Sequence, residues 1–463
     1  MKQPQHAAAA GENARVYVRT FHECAGGIHM ARMRIMKLTD DTRAGALEAL
    51  LGRSPSGYSE YEKTVRGIID DVRARGDQAV FELEEKFDKC VLTSETIRVS
   101  QEEIDAAYKE LDPAFVEVLR KAAANIRAYH EKQVTQSWIT TKEDGTILGQ
   151  KVTPIEVSGC YVPGGRAVYP SSVLMNVVPA KVAGVERIII ATPPDASGKA
   201  AAGTIVAADI AGADEMYKMG GAQAIAAMAY GTQTIPRVDK ITGPGNIFVA
   251  LAKKACFGVT GIDSVAGPSE ILVIADKTAN PRYVAADLLS QAEHDPMASA
   301  ILLTTDQALA EAVAEEIDSF IEKLPRTEII CQSIENYGYI FVGGTMGDLI
   351  DAANTIASEH LEIITENAFE VMTKIRHAGA IFLGSYSSEP LGDYFAGPNH
   401  ILPTNGTARF FSPLGVDAFV KKSSIISYSR EALGRVHKDI ELFAENEGLY
   451  AHANSIRVRF EED

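Results

Sequence analysis

"GTILGQKVTPIEVSGCYVPGG", residues 145–165, marks where the grammar of this chain changes. Upstream, from about residue 38 to 137, apolar residues recur at three- and four-residue spacing among charges. "YEKTVRGIIDDVRARGDQAVFELEEKF" (61–87) is typical, with Gly76 as a break, and the spacing predicts helices. Downstream, short β-rich runs alternate with Ala/Gly-rich stretches of helical length: "RIIIATPP" (187–194), "AAGTIVAADIAGA" (201–213), "EMYKMGGAQAIAAMAYG" (215–231) and "KITGPGNIFVALAKKA" (240–255). A second series follows in "SEILVIAD" (269–276), "ADLLSQAEHD" (286–295), "ASAILLTTD" (298–306), "YIFVGG" (339–344) and "GAIFLGS" (379–385). Such alternation makes neighbouring strands parallel, because a helix must carry the chain back to the starting edge. The expected fold class is α/β, with two Rossmann-like parallel-sheet units. An N-terminal helical segment precedes them, and a tail of one short strand and two helices follows.

The boundaries expected from this reading are a leader over 1–35, a first α/β globule of 36–160 with 270–413, a second of 161–269, and a tail of 414–463. A chain of 463 residues exceeds one ordinary core, which agrees with several units. Apolar residues at 46% and charged residues at 23% describe a globular protein. A net charge of −17 speaks against recognition of nucleic acid through phosphate contacts, and no run of 18 apolar residues suggests a membrane span. Small-molecule chemistry is the default. Cys24, Cys90, Cys160, Cys256 and Cys331 form no CxxC pair and point to reduced thiols in a cytoplasm. "QHAAAAGENA" (5–14) lacks a signal-peptide apolar core, and Met30, Met33 and Met36 are alternative starts to Met1.

Of ten histidines, His6, His22 and His29 lie in the leader, while His130, His377 and His437 sit in charged helical text and read as surface residues. The other four lie in dense polar clusters. In "SQAEHDP" (290–296), Gln291 and His294 are three apart, so a helix presents both on one face to a divalent metal, or simply ends there in a charged turn. In "TIASEHLEIIT" (355–365), Glu359 and His360 at a helix-to-strand junction offer two bases of different pKa, or an exposed acid beside a partly buried histidine. "PLGDYFAGPNHILPTNGTARF" (390–410) places Asp393 and His400 in a Gly/Pro-bearing loop, where the carboxylate is a metal ligand or a turn cap. "AENEGLYAHANS" (444–455) offers Glu447 and His452, alone no more than a solvated helix. The glycine-rich stretches 160–176 and 241–250 expose backbone N–H groups to anions, but neither carries the full G-x-G-x-x-G pattern. Ser269, directly before a strand, either touches substrate or ends a turn.

Taken in order, "YVPGGRAVYPSSVLMNVVPAKVAGV", "GGAQAIAAMAYGT", "TGPGNIFVALAKK", "DSVAGPSEILVIAD", "LLSQAEHDP", "SEHLEI", "GPNHILPT" and "EGLYAHANSI" resemble histidinol dehydrogenase, from about residue 36 to the end. The resemblance implies a zinc-dependent, NAD-linked enzyme performing the last two steps of histidine biosynthesis. It assigns the zinc ligands to Gln291, His294 and Asp393, with His452 donated across a homodimer. Glu359 and His360 become the proton-transfer pair. Ser269, His400 and Glu447 join His360 and the metal ligands around L-histidinol, and Tyr161, Gln223 and Asn246 contact the cofactor. One Zn2+ per subunit and two NAD+ per turnover follow from it, as do a metal that mainly orients the substrate and a tail exchanged in the dimer. One departure is visible: Ser358 stands where the family usually has proline before the Glu–His pair. Three rivals remain: the same scaffold acting on another alcohol such as a sulfonated diol, a nucleotide-free zinc hydrolase, and a metal-stabilised binding protein. Retention of Asp393, His400, Glu447 and His452, the two glycine-rich loops, and the adjacent Glu–His pair speak against them in turn.

Overall fold

A computed structural model describes residues 33–53, 59–164 and 169–461. The expected α/β architecture is present, with two parallel sheets and a small antiparallel ribbon. In the five-stranded sheet the spatial order is Glu215–Lys218, Arg187–Thr192, Val157–Tyr161, Lys240–Thr242, Gly261–Ile262, all parallel. Numbered along the chain this is 3-2-1-4-5, the doubly wound order, with growth reversing between Val157–Tyr161 and Lys240–Thr242. The six-stranded sheet repeats the same order with Gly338–Val342, Ser299–Thr304, Glu270–Ala275, His360–Ile364 and Ala380–Leu383, and adds Arg34–Lys37 beside Gly338–Val342.

Both sheets are covered on both faces, which is why their strands read as continuous apolar runs. In the six-stranded sheet Ile271, Val273, Leu302 and Ile340 pack on one side, and Leu272, Ile274, Leu303 and Phe341 on the other. In the five-stranded sheet Ile189, Ala191 and Tyr217 face one core, and Ile188, Ile190 and Met216 the second. The third sheet is a ribbon of Trp138–Thr141, Ile147–Pro154 and Val420–Ser427, which fastens the start of the tail to the body.

Several boundaries differ from the sequence reading. Helices Ser59–Arg75, Asp77–Phe87 and Pro113–His130, expected with the 270–413 globule, pack on the five-stranded sheet instead. An amphipathic pattern states that a helix has an apolar face, but not which sheet will cover it. Among the described residues before 160, strand Arg34–Lys37 and helix Asp40–Gly52, through Ala46 and Leu50, join the six-stranded sheet. The expected break after residue 160 falls inside strand Val157–Tyr161. The leader was expected to run to 35, yet Met33 is buried and Arg34 begins a strand, while residues 1–32 lie outside the described residues. His130 is not a surface residue: it is fully buried, with Nδ1 on the carbonyl of Ile126 at 2.8 Å, as the last residue of a helix whose apolar face runs through it. His377 and His437 are half-buried, and the His437 ring stacks on Phe460.

Candidate active site

The amino edge of the six-stranded sheet gathers most of the predicted residues. Helix Met346–Ile356 ends at Ala357, whose φ of 53° lies in the left-handed region and swings the chain into strand His360–Ile364. Ser358 donates its hydroxyl to the His360 carbonyl at 2.7 Å and so stabilises this turn. Glu359 and His360 therefore stand at the mouth of the strand. Across the ladder His360 pairs in register with Ile271, which brings Ser269 and Glu270 alongside.

Glu270 holds both neighbours. Its backbone N–H donates to Glu359 Oε2 at 2.9 Å, its Oε2 accepts the Glu359 N–H at 3.3 Å, and its carbonyl accepts from His360 Nδ1 at 2.9 Å. A ring nitrogen facing a carbonyl carries the proton, so Nε2 is the bare one. That Nε2 is buried without a hydrogen-bond partner and lies 3.9 Å from Asp393 Oδ1. Burial lowers the His360 pKa to about 4, aided by the charges of His294 and His400, so the ring is neutral at pH 7. Glu359 is pushed well above the ordinary carboxyl range, first by burial and then by the nearby Glu270, Asp393 and Glu389.

Asp393 lies on a short helix, Glu389–Tyr394, rather than in the loop expected for it. This helix runs back along the sheet, anchored by the Glu389 N–H on Glu362 Oε1 at 2.8 Å and by Ser290 Oγ on Glu389 Oε2 at 2.9 Å. His400 follows in the loop, with Nδ1 on the Asp393 carbonyl at 3.0 Å and Nε2 3.5 Å from Ser172 Oγ on helix Pro170–Ala183. Ser172 belongs to the five-stranded unit, so the site lies between the two sheets. Burial raises Asp393 to about 6 and Glu389 to about 8, and lowers His400 to about 4.

Ligand atoms of His360, Glu389 and Asp393 lie within 4.8 Å of one another. The expected metal set overlaps this group at Asp393 alone. Gln291 ends helix Pro281–Ala292, is buried, and has its Oε1 without a hydrogen-bond partner. His294, two residues past the helix, is exposed, yet near enough to influence His360, His400 and Glu389 electrostatically. The donor chemistry suits a divalent cation. Carboxyls and a neutral imidazole come within 4.8 Å of one another, the Gln291 amide oxygen is buried without a partner, and a cation would supply the countercharge that burial otherwise replaces with protons. Glu447 and His452 lie elsewhere, exposed on the tail, and among the described residues neither side chain hydrogen-bonds to this cluster.

Sequence reasoning missed Glu270, Glu389 and Ser172. Signals existed for two of them: Glu270 is a charge within an otherwise apolar strand, "SEILVIA", and Glu389 stands four residues before Asp393 on the same helix face.

The three expected cofactor contacts sit at the other kind of edge, the carboxyl ends of the five-stranded sheet. Tyr161 closes its strand, is buried, and accepts the Gly221 N–H on its hydroxyl at 3.1 Å. Gln223 lies in the first turn of helix Gly221–Tyr230, its Nε2 on Glu84 Oε1 at 2.9 Å. Asn246 caps helix Ile247–Cys256, with Oδ1 accepting from Phe248 and Val249 N–H at 3.0 and 3.2 Å. Between them Gly243 adopts φ 110° with no room for a Cβ, which would meet the Tyr161 carbonyl oxygen at 2.0 Å. Tyr161 and Asn246 thus flank the point where strand order reverses, the place where doubly wound sheets open a crevice.

Two doubly wound sheets with acid–base groups buried between them define an α/β enzyme. Known proteins place it more narrowly. Residues 51–460 match the family model for histidinol dehydrogenase. A histidinol dehydrogenase of Halalkalibacterium halodurans is 57% identical over 408 residues, covering 88% of this chain and 96% of that one. One from Bacillus subtilis is 57% identical over 419 residues, covering 90% and 98%. The crystal structure of histidinol dehydrogenase from Elizabethkingia anophelis superposes with a TM-score of 0.87 at 38% identity, covering 93% of this chain and 98% of that chain. The chain belongs to the histidinol dehydrogenase family and is an oxidoreductase.

Proposed function

We propose that this protein oxidises L-histidinol through L-histidinaldehyde to L-histidine, the last two steps of histidine biosynthesis, reducing two NAD+ in turn. The observation that carries this reading is the His360 imidazole: neutral, fixed through Nδ1 with Glu359 Oε2 3.7 Å away on that side, and presenting a buried, unbonded Nε2 3.9 Å from Asp393 Oδ1. His360 Nε2 accepts the alcohol proton as hydride leaves the adjoining carbon for the nicotinamide. Glu359, in its ionised form, then takes a proton from the water that adds to the aldehyde carbonyl, and a second hydride leaves the resulting diol for the second NAD+ as the diol's hydroxyl proton passes to the same pair of bases. Adjacent bases of unequal proton affinity suit two proton transfers of unequal difficulty.

Gln291, His294 and Asp393 would hold one zinc ion per subunit, completed by the partner's His452. When bound, the ion would serve mainly to orient the substrate. Ser269, His400 and Glu447 line the same ligand. Tyr161, Gln223 and Asn246 receive NAD+ at the reversal of the five-stranded sheet. The homodimer is supported by the tail, where Leu442, Phe443 and Tyr450 are 62%, 69% and 69% exposed next to Glu447 and His452. Large apolar side chains grouped this way normally meet another surface. A cytoplasmic location is in keeping with Cys90, Cys160, Cys256 and Cys331, all buried free thiols, and no described helix is long and apolar enough to cross a membrane.

Zinc-loaded protein given L-histidinol and NAD+ should raise the absorbance at 340 nm with two NADH formed per histidinol. No rise with fully loaded dimer would overturn the assignment. Glu359→Gln should slow aldehyde oxidation by roughly 100-fold or more while sparing alcohol oxidation. Equal losses in the two half-reactions would refute the division of labour.

A further inference from the structure

Behind the proton-transfer pair stands a guanidinium with no exposed surface of its own. Arg53, just past helix Asp40–Gly52, is 1% exposed and donates Nε to the Leu50 carbonyl and Nη1 to the Met297 carbonyl, each at 3.0 Å. Its Nη2 pairs with Glu270 Oε1, and the guanidinium lies over the Tyr337 ring at 5.4 Å. Glu270 is thereby engaged at every polar atom. One carboxylate oxygen is clamped by Arg53, while the other oxygen, the backbone N–H and the carbonyl all bond to Glu359 or His360. Glu359 is pinned through a single oxygen, Oε2, which leaves the second outside the bracket. His360 is pinned through Nδ1, which settles both the ring plane and the tautomer.

We infer that Arg53 and Glu270 are positioning residues for the reaction: Arg53 fixes the Glu270 carboxylate, and Glu270 sets the orientation of Glu359 and His360. This rests on the reading of those two as the proton carriers. The inference reaches further than a stabilising ion pair, because Glu270 holds both proton carriers directly: its backbone N–H and Oε2 bond to Glu359, and its carbonyl accepts from His360 Nδ1. Small errors in the placement of a base are costly to rate, since proton transfer requires hydrogen-bond distance and alignment. They cost little in substrate binding where other groups hold the ligand.

The test compares Arg53→Met, Arg53→Lys and the double variant Arg53→Met/Glu270→Gln in zinc-loaded holoenzyme. Arg53→Met leaves a buried carboxylate without its counter-ion and lowers the folded fraction. The double variant removes both charges and separates folding from positioning. Arg53→Met and the double variant should each lower kcat per folded, zinc-loaded site by about 10- to 100-fold. KM for L-histidinol and NAD+ should stay within about 3-fold. Arg53→Lys, which restores a cation to Glu270, should recover most of kcat. Wild-type kcat in the double variant, or a loss confined to Tm, would reduce the pair to a structural role and overturn the inference. Glu359→Gln and His360→Asn run alongside: if they retain full kcat, the underlying proton-transfer reading fails instead.

Discussion

The two parallel sheets share one strand order and use opposite ends. In the five-stranded sheet the candidate nucleotide contacts lie at carboxyl ends, where helices Gly221–Tyr230 and Ile247–Cys256 begin. In the six-stranded sheet Ser269, Glu270, Glu359 and His360 lie at amino ends, where helix Pro281–Ala292 finishes. Helix N-termini carry partial positive charge and free N–H groups, and helix C-termini carry partial negative charge and free carbonyls. The proposed function assigns a pyrophosphate to the first of these edges and a cation to the second. A single topology supplies both environments, depending only on which end is opened. Strand order alone is a poor guide to where chemistry sits.

Three changes separate the two ends. The largest effect belongs to the amino edge: Asp393→Ala or His294→Ala should abolish bound zinc and lower kcat by at least about 1000-fold, while NAD+ affinity stays within about 3-fold. Metal analysis beside an NADH assay checks this, and full zinc in both variants would refute the ligand set. At the carboxyl edge Asn246→Ala should raise KM for NAD+ by about tenfold and lower stability by about 1 kcal/mol through loss of the helix cap, with zinc content unchanged. Titration with NAD+ and thermal unfolding decide it, and an unchanged KM would leave Asn246 as a cap alone.

The third effect concerns pH and touches stability alone. Glu84, which holds Gln223 and the Gly220 N–H, is raised from 4.5 to about 8 by burial, with Asp88 adding to the shift. The folded state therefore keeps a proton that the unfolded chain has released, and stability falls as pH rises from about 4.5 to 8. Glu84→Gln should flatten that decline by a few kcal/mol in urea unfolding. An identical slope in variant and wild type would show that Glu84 is ionised throughout.

Much of this edge was legible because His294, His360 and His400 stand in dense polar clusters that also hold Gln291, Glu359 and Asp393. Burying such groups costs free energy unless something meets them, and Gln291, Glu359 and His360 are indeed buried. Glu389 was missed because its one signal, the four-residue spacing to Asp393, has meaning only on a helix, and "SSEPLGDYF" otherwise reads as an exposed turn. Arg53 hid for a different reason. It ends an unremarkable helix, and its partner Glu270 lies 217 positions away. His130 misled in the opposite direction, because charged neighbours on one helix face disguise a buried residue on the other.

From the sequence alone came the α/β class, two series of strands and the polar clusters themselves. Each is a local property, carried by periodicity and by residue type within a few turns of chain. Only the tertiary structure decided which sheet covers helices 59–130, which edge of each sheet is opened, and that Glu270 joins Arg53 to Glu359 and His360. Those outcomes depend on contacts between segments far apart along the chain, and apolar packing lacks the directionality to announce its partner in advance.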